Sequence, residues 1–250
     1  EPAMRETRIL MGMPVTVEIV DAAATPMIDD AFAYFAAVDQ RFSPFRPDSE
    51  ITALNHGRLA ADALSAEMRE VLRIAERTRQ ETEGYFDIRR PDGRLDPSGV
   101  VKGWAIRNAA RRIAAAGARN FLVDAGGDIQ SQGKAANGED WCLGIRNPFD
   151  DAQIVKAVRP RGRGMATSGT YARGQHIYDP HRPARRFEDI VSLTVIGPDV
   201  LEADRFATAA FAMGPGGIRF IEDRPGLEGY LIEADGMATQ TSGFRDYAAS

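Results

Sequence analysis

The sequence contains few cysteines and histidines and no long apolar segment. Its single cysteine, Cys142, excludes an internal disulfide and a cysteine-rich metal site, and we expect it to pack as a small apolar residue beside Trp141. Histidine is almost as scarce, because the chain has only three, His56, His176 and His181. No apolar run approaches the roughly 20 residues that a membrane-spanning helix needs, so no membrane span is predicted.

An excess of positive charge is also absent. The chain has 36 acidic and 31 basic residues, a formal net charge of -5 and a pI near 5.4. Nucleic-acid backbones are bound by basic faces, so this balance argues against a general nucleic-acid-binding protein. The first residues, Glu1–Met4, show no signal-peptide pattern. We therefore expect a cytoplasmic protein, or a periplasmic one if a signal has been removed.

What the chain does have is the composition of a globular protein. It is 250 residues long, 44% hydrophobic and 27% charged, which predicts a sizeable core. It contains no repeat, low-complexity block or linker that would separate independent domains. The prediction is a single domain over residues 1–250, built as two intimately packed halves, in a monomer or homodimer.

Hydrophobic periodicity predicts both helices and strands along the chain. Apolar residues at helical spacing predict helices over 26–42, 65–84, 99–116 and 199–213. Strands are predicted within 8–20, 119–124, 141–146, 153–158, 190–196 and 229–233. Pro14 is expected to interrupt the first ladder, because proline lacks the N–H group that a strand donates.

The stretch Leu95–Gly103 is a candidate phosphate site. Asp96 stands before a proline and Ser98, a pattern that starts helices. Gly99 permits close approach of a backbone or ligand, and Lys102 follows on the opening turn. A helix N-terminus carries unpaired N–H groups and partial positive charge, which suits a metal–phosphate group. A well-capped core helix would show the same pattern, so the motif alone leaves both interpretations open.

A second candidate lies on the helix predicted over 199–213. Asp204 and Thr208 are four residues apart, so both side chains project from one face of that helix. A carboxylate and a hydroxyl on one face suit a hard, oxygen-seeking cation such as Mg²⁺. A hydrogen bond within the helix is the alternative explanation for the same pair.

Polar and glycine residues mark two further segments. The turn 125–128, Ala-Gly-Gly-Asp, either lets a ligand approach the backbone or forms a simple hairpin. The segment 165–171 is rich in hydroxyls, and the segment 176–180 follows it. His176 is a candidate base within this polar cluster, or an ordinary loop histidine. Outside these segments, Met11 is typical of core filler, and Phe45 would either stack on a planar ligand or pack.

The order of these motifs is more specific than any one of them. The discriminating parts are the Asp-x-x-Gly-x-x-Lys-Gly start at 96–103, the Gly-Gly-Asp turn at 126–128, the Thr-Ser-Gly strand at 167–169 and the Asp-x-x-x-Thr helix at 204–208. With Met11-Gly12, Phe45–Asn55, Tyr85-Phe86-Asp87 and His176–Pro180, they resemble the ApbE-type FAD:protein FMN transferases. The resemblance extends roughly from Leu10 to Gly214.

The resemblance implies an α+β fold with mixed sheets and packed helices in one large, T-fold-like domain. It also implies binding of FAD with Mg²⁺ and transfer of FMN to a Thr or Ser hydroxyl of an acceptor flavoprotein, with AMP as the leaving group. Some members instead hydrolyse FAD to FMN and AMP. The alternatives are therefore an FAD pyrophosphatase, or a flavin-binding protein without transfer activity. The chain lacks the strand–Gly-x-Gly-x-x-Gly–helix unit of a Rossmann oxidoreductase.

Residue roles follow from the same resemblance. The metal is expected at Asp204, the Thr208 hydroxyl and the Gly99 carbonyl. The positions implied to line FAD are Met11, Phe45, Tyr85, Phe86, Asp87, Asp96, Lys102 and Met165. His176 aligns with a histidine proposed to activate the acceptor hydroxyl, with Asp179 as the residue that would orient it. Lys102 would also neutralise charge on the leaving phosphate.

Two features depart from the family pattern. Only residues 88–95 separate Asp87 from Asp96, where most members place a substantial segment. That wall of the flavin site must therefore be built differently or left open. The usual Asp-Pro-x-Thr-Gly is replaced by Asp-Pro-His-Arg-Pro at 179–183, which alters the loop after His176.

Overall fold

Helices pack on a large antiparallel sheet in this computed structural model, which describes residues 3–22, 24–170 and 177–249. The sheet has eight strands in the order β1-β2-β3-β4-β7-β8-β9-β10. Their bounds are Met4–Leu10 (β1), Met13–Ile19 (β2), Phe121–Ala125 (β3), Asp128–Gln132 (β4), Gly164–Gly169 (β7), Ile190–Gly197 (β8), Glu228–Glu233 (β9) and Ala238–Gln240 (β10). The strands Leu143–Asn147 (β5) and Asp150–Val158 (β6) form a separate hairpin. The α+β class is confirmed, and the pairings between these strands are antiparallel.

The helices begin close to where side-chain caps and apolar periodicity predict them. They are Ala24–Phe42 (α1), Glu50–Asn55 (α2), Ala66–Glu81 (α3), Ser98–Ala115 (α4), Val200–Ala212 (α5) and Gly217–Glu222 (α6). The Ser65 hydroxyl accepts the Met68 N–H at the start of α3, and Asp199 accepts the Glu202 N–H at the start of α5. Each cap satisfies a backbone donor that the helix itself cannot pair.

Two core clusters meet along α4 and α5. One cluster joins α1, α3 and α4 to β2 and β3, and it contains the predicted apolar stripe of α1. The other joins α5 and α6 to β7, β8 and β9. Alanines fill α5 because this helix is buried against both the sheet and α4. The small side chains allow the opening turns of α4 and α5 to approach each other closely.

Pro14 does not interrupt the first ladder, which corrects the sequence prediction. Met11 and Gly12 both have positive φ and make a two-residue turn between Leu10 and Met13. The pair next to this closing pair, Ile9 and Pro14, lies where antiparallel strands exchange no hydrogen bonds. The Pro14 carbonyl instead points away from β1 to the side of β3, where it accepts the Gly126 N–H. Its missing N–H therefore costs the hairpin nothing.

Cys142 is exposed, so the prediction that it packs as an apolar residue is wrong. Trp141 beside it is buried, and its indole Nε1–H donates to the Gln132 carbonyl at 3.0 Å. Successive side chains of extended backbone point to opposite sides, and burial of Trp141 turns Cys142 outward. Among the described residues, no helix has the length and apolar character needed to cross a bilayer.

Candidate functional site

Helix α4 begins just after Asp96, as predicted. The Asp96 carboxylate lies outside the helix and accepts hydrogen bonds from its first residue. Asp96 Oδ1 accepts the Ser98 N–H at 3.1 Å and the Ser98 hydroxyl at 2.5 Å. Its other oxygen accepts the Arg90 Nε–H at 3.0 Å. Burial alone would raise the pKa of Asp96, but the hydrogen bonds from Ser98 and Arg90 outweigh it and lower that pKa. A charged carboxylate is therefore held beside the opening turn of α4.

Lys102 lies between two buried carboxylates. Its Nζ is 2.5 Å from Asp128 Oδ2 and 3.7 Å from Asp204 Oδ1. Asp128 is 1% exposed and Asp204 is 3% exposed, so both charges depend on protein partners rather than on water. The chain thus brings together the start of α4, the start of β4 and the middle of α5.

Asp204 contacts α4 directly through the backbone. Its Oδ2 accepts the Gly103 N–H at 2.9 Å. A Cβ placed on Gly103 would come within 2.9 Å of the Asp204 Cβ and 3.0 Å of the Leu201 Cα. The two helices can meet at this distance only because position 103 has no side chain.

Thr208 lies one turn further along α5 and faces the first turn of α4. A Cβ on Gly99 would lie 3.8 Å from the Thr208 Cγ2 and 2.9 Å from the Phe86 Cε2. The Thr208 hydroxyl is 3.5 Å from the Ser168 hydroxyl on β7. Asp204 and Thr208 therefore lie on one face of α5, beside Gly99 and Lys102. The contacts described for Asp204 run to Gly103 and Lys102 on α4 and to Asp128 on β4 rather than along its own helix.

Among the residues that the structure describes, negative charge exceeds positive charge in this cluster. Two buried carboxylates, Asp128 and Asp204, face the single ammonium of Lys102. Burial raises the pKa of Asp204 to about 7, Lys102 opposes that rise and Asp128 adds to it. A further positive charge at this position would stabilise the ionised carboxylates. The donors suit a hard cation, since carboxylate, hydroxyl and carbonyl oxygens are its preferred ligands.

The fit to Mg²⁺ depends on a mixed set of oxygens. Among residues 3–22, 24–170 and 177–249, no group of three or more His, Cys, Asp and Glu is placed to hold a metal ion. Mg²⁺ in phosphate-binding sites commonly takes one or two carboxylates and completes its shell with water and substrate phosphates. Asp204, with the Thr208 hydroxyl and the Gly99 carbonyl, fits that pattern.

The segment Tyr85-Phe86-Asp87 leads from α3 toward this cluster. Phe86 is buried and contacts Gly99, whereas Tyr85 packs edge-to-face on the His181 ring, with centroids 4.6 Å apart. The Asp87 carboxylate accepts the Arg89 N–H at 2.8 Å. Phe86 therefore lies against the predicted metal site, and Asp87 begins the loop beyond it.

The short loop between Asp87 and Asp96 leaves an open space. Arg89 and Leu95 pair as an isolated bridge, so residues 89–95 fold back on themselves. A cavity of about 480 Å³ lies between this loop and α3, with Asp87 and Arg79 in its walls. That this wall of the flavin site is built differently or left open stays a prediction.

Phe45 and Met165 occupy very different surroundings. Phe45 is 91% exposed on the loop between α1 and α2. Met165 is buried on β7 in a cluster with Ile129 and Trp141. Met11 is partly buried in the tight turn before β2 and packs against the large core cluster. Contact of these three side chains with FAD stays a prediction.

Of the predicted catalytic pair His176 and Asp179, the structure describes Asp179. His176 lies outside the described residues. Asp179 is buried, and its oxygens accept the His181 N–H at 2.9 Å and the Arg182 Nε–H at 3.1 Å, with Arg185 Nη1 at 3.6 Å. Asp179 thus anchors the loop 179–185, and its orienting role for His176 stays a prediction.

Sequence reasoning did not assign a role to Asp128, Gly103 or Ser168. The Gly-Gly-Asp turn was visible as a motif, but which side chain Asp128 would meet was not. The glycines at 126 and 127 both have positive φ and close the β3–β4 hairpin. The hairpin interpretation of this turn is therefore confirmed, and the turn also brings Asp128 to Lys102. Approach of a ligand to its backbone stays a prediction.

Gly103→Ala tests whether the close approach of α4 and α5 is required. We expect the methyl group to push Asp204 and Leu201 away and to lower the free energy of unfolding by about 1–3 kcal/mol. Chemical denaturation monitored by circular dichroism measures this. The control is Gly216→Ala, where a Cβ would meet open space, and a change within about 0.5 kcal/mol is expected. Equal effects at the two positions would contradict the packing described here.

Comparisons with a family model and with curated proteins point to the same family. A sequence model of the ApbE family matches residues 11–92 and 88–231. The FAD:protein FMN transferase of Escherichia coli (strain K12) is 33% identical over 171 residues, which cover 65% of this chain and 49% of that protein. The protein of the same name from Haemophilus influenzae is 27% identical over 164 residues, 61% of this chain and 47% of that protein. The chain spans about half the length of the curated relatives it matches.

Solved structures show the same fold over nearly the whole chain. The flavin transferase ApbE from Vibrio cholerae has a TM-score of 0.85 at 22% identity, covering 98% of this chain and 100% of that chain. The ApbE protein from Thermotoga maritima has a TM-score of 0.89 at 18% identity, covering 99% and 100%. At these identities the likeness shows the fold alone.

Proposed function

The chain belongs to the ApbE family, and from that premise we propose that it transfers FMN from FAD to a Thr or Ser hydroxyl of an acceptor flavoprotein, releasing AMP. The curated relatives named FAD:protein FMN transferase support this reaction. The observation that carries the proposal is the meeting of Lys102 with Asp204 beside Thr208 and Gly99. The carboxylate and the hydroxyl can hold a cation, and the ammonium can stabilise a leaving phosphate, which are two functions that cleavage of a diphosphate uses.

The proposed roles divide between α4 and α5. Asp204, the Thr208 hydroxyl and the Gly99 carbonyl would hold Mg²⁺, which would supply positive charge for the diphosphate when bound. Lys102 supplies a fixed positive charge for the phosphate that leaves with AMP. The opening N–H groups of α4 add partial positive charge at the same end.

The transfer step is a substitution at phosphorus. The acceptor hydroxyl oxygen bonds to the phosphorus of the FMN half of FAD. The bond from that phosphorus to the bridging oxygen breaks, and AMP leaves with this oxygen. The hydroxyl proton passes to a base, the role proposed for His176. Lys102 stabilises the negative charge that develops on the leaving phosphate.

The test is incubation of the protein with FAD, Mg²⁺ and an acceptor flavoprotein domain, followed by nucleotide chromatography and intact-mass measurement. Transfer predicts equal amounts of AMP and of acceptor carrying one FMN, and an acceptor with its Thr or Ser replaced by Ala should gain no mass. AMP and free FMN without an adduct would identify an FAD pyrophosphatase. Bound flavin without AMP would identify a flavin-binding protein and contradict the proposed reaction.

His176→Ala tests the proposed base. We expect FMN transfer to slow by about 10²- to 10⁴-fold, because the acceptor hydroxyl would lose its proton acceptor. Initial rates of acceptor mass gain measure this. His56→Ala is the control, since the His56 ring bonds to the Thr52 carbonyl of its own helix. A normal transfer rate in His176→Ala would rule out the general-base role.

A further inference from the structure

The sequence uses lysine sparingly, and one of its lysines is at the site. Only three of the 31 basic residues are lysines, Lys102, Lys134 and Lys156. An ammonium is a compact point charge, whereas a guanidinium is a wide planar fork. The space beside Asp128 and Asp204 holds the compact group, with its Nζ 2.5 Å from Asp128 and 3.7 Å from Asp204. The shorter distance identifies Asp128 as the main partner of Lys102.

The Asp128 carboxylate is itself fixed by the sheet. Its Oδ1 accepts the Thr167 N–H at 2.9 Å, which joins the start of β4 to the neighbouring strand β7. Before it, Gly127 donates its N–H to Asp124 Oδ1 at 2.8 Å and so holds the turn. Asp128 is 1% exposed. The carboxylate therefore has a fixed position from which it attracts the ammonium.

Without the Asp128 charge, Lys102 would still lie beside the Asp204 carboxylate, which the structure places 3.7 Å from its Nζ. The ammonium would move the short distance to Asp204, because a buried cation needs a counter-charge. That movement would occupy the carboxylate proposed to hold the cation and would displace Lys102. Asp128 thus keeps the Lys102 ammonium apart from the cation proposed to bind at Asp204.

We propose that Asp128 is a positioning residue, which holds the Lys102 ammonium ready for the diphosphate of FAD and limits its pairing with Asp204. The proposal rests on the proposed function. It assigns Asp128 no contact with the reacting atoms, and its whole effect passes through Lys102. Substitution of Asp128 should therefore matter only while Lys102 is present.

A double-mutant cycle tests this dependence. Asp128→Asn should lower kcat for AMP release about 10²-fold, because the charge on Lys102 would be misplaced. In a Lys102→Met background the same substitution should change kcat less than about threefold, since its target is gone. The control is Asp140→Asn, which breaks the exposed Lys134–Asp140 pair of 2.7 Å and should leave kcat unchanged.

Equal losses of kcat in both backgrounds would overturn the proposal, as would an unchanged kcat in Asp128→Asn. If Asp128→Asn does not fold, Asp128→Ser replaces it. Serine removes the charge but leaves an oxygen for the Thr167 N–H, and the same dependence on Lys102 must appear. If the unsubstituted protein releases no AMP from FAD, the proposed function fails, and a measurement without FAD decides the placement of Lys102.

That measurement is NMR of the lysine side chains. With ¹⁵N-lysine labelling the three ammonium groups can be observed, and Lys102→Met assigns the signal of Lys102. We expect a Lys102 signal that Asp128→Asn shifts or broadens, while the signals of Lys134 and Lys156 stay in place. A Lys102 signal unchanged by Asp128→Asn would overturn the proposal, whatever the activity.

Discussion

Asp204→Ala should lower Mg²⁺-dependent release of AMP from FAD by at least about 10³-fold. Asp204 is the carboxylate on the face of α5 that meets the start of α4, with its Oδ2 on the Gly103 N–H at 2.9 Å. Alanine removes the proposed charged ligand of the cation and the ion pair of Asp204 with Lys102. Chromatographic measurement of AMP at several Mg²⁺ concentrations tests this.

The control for Asp204→Ala is Asp223→Asn. Asp223 pairs with Arg219 at 3.2 Å on the exposed surface of α6, so its loss should leave AMP release unchanged. Thr208→Ser provides a second comparison, because it keeps the proposed hydroxyl ligand and should retain most of the activity. Full activity of Asp204→Ala at ordinary Mg²⁺ concentrations would rule out the metal role.

Lys102→Met should lower kcat for AMP release about 10²- to 10³-fold. Methionine keeps much of the side-chain length but removes the charge that faces the leaving phosphate. Lys102→Arg should not restore the rate, since a wide, planar guanidinium does not replace a compact ammonium. Asp128 and Asp204 are both buried, so the site has little room for the larger group. Steady-state kinetics at saturating FAD measure both variants.

Circular dichroism must accompany these kinetics. Removing one partner of a buried ion pair leaves uncompensated charge and costs about 3–5 kcal/mol, so Lys102→Met is assayed well below its melting temperature. Lys134→Met is the matched control, because it removes a lysine from an exposed pair with Asp140. A folded Lys102→Met variant with normal kcat would contradict the role in leaving-group stabilisation.

Local sequence signals predicted much of the site. The four-residue spacing of Asp204 and Thr208 placed both on one helix face, and the structure has them there. Asp96 predicted the start of α4 because a carboxylate before the first turn pairs with backbone N–H groups regardless of the rest of the fold. Each of these relations spans only a few residues.

The relations that the sequence did not predict are long-range. Asp128 and Lys102 are brought together by the order of β3, β4 and β7 and by the packing of α4 on that sheet. Gly103 is needed because Leu201 and Asp204 approach it from another helix. Pro14 was misjudged for a related reason, since its effect depends on which side of the ladder its backbone faces.

The most direct test of this account is a crystal structure with FAD and Mn²⁺ in place of Mg²⁺, with the ion located by anomalous scattering. We expect an anomalous peak in contact with Asp204, the Thr208 hydroxyl and the Gly99 carbonyl. The diphosphate of FAD should lie beside that ion and Lys102. FAD bound with its diphosphate away from Lys102, or an ion that does not touch Asp204, would contradict it.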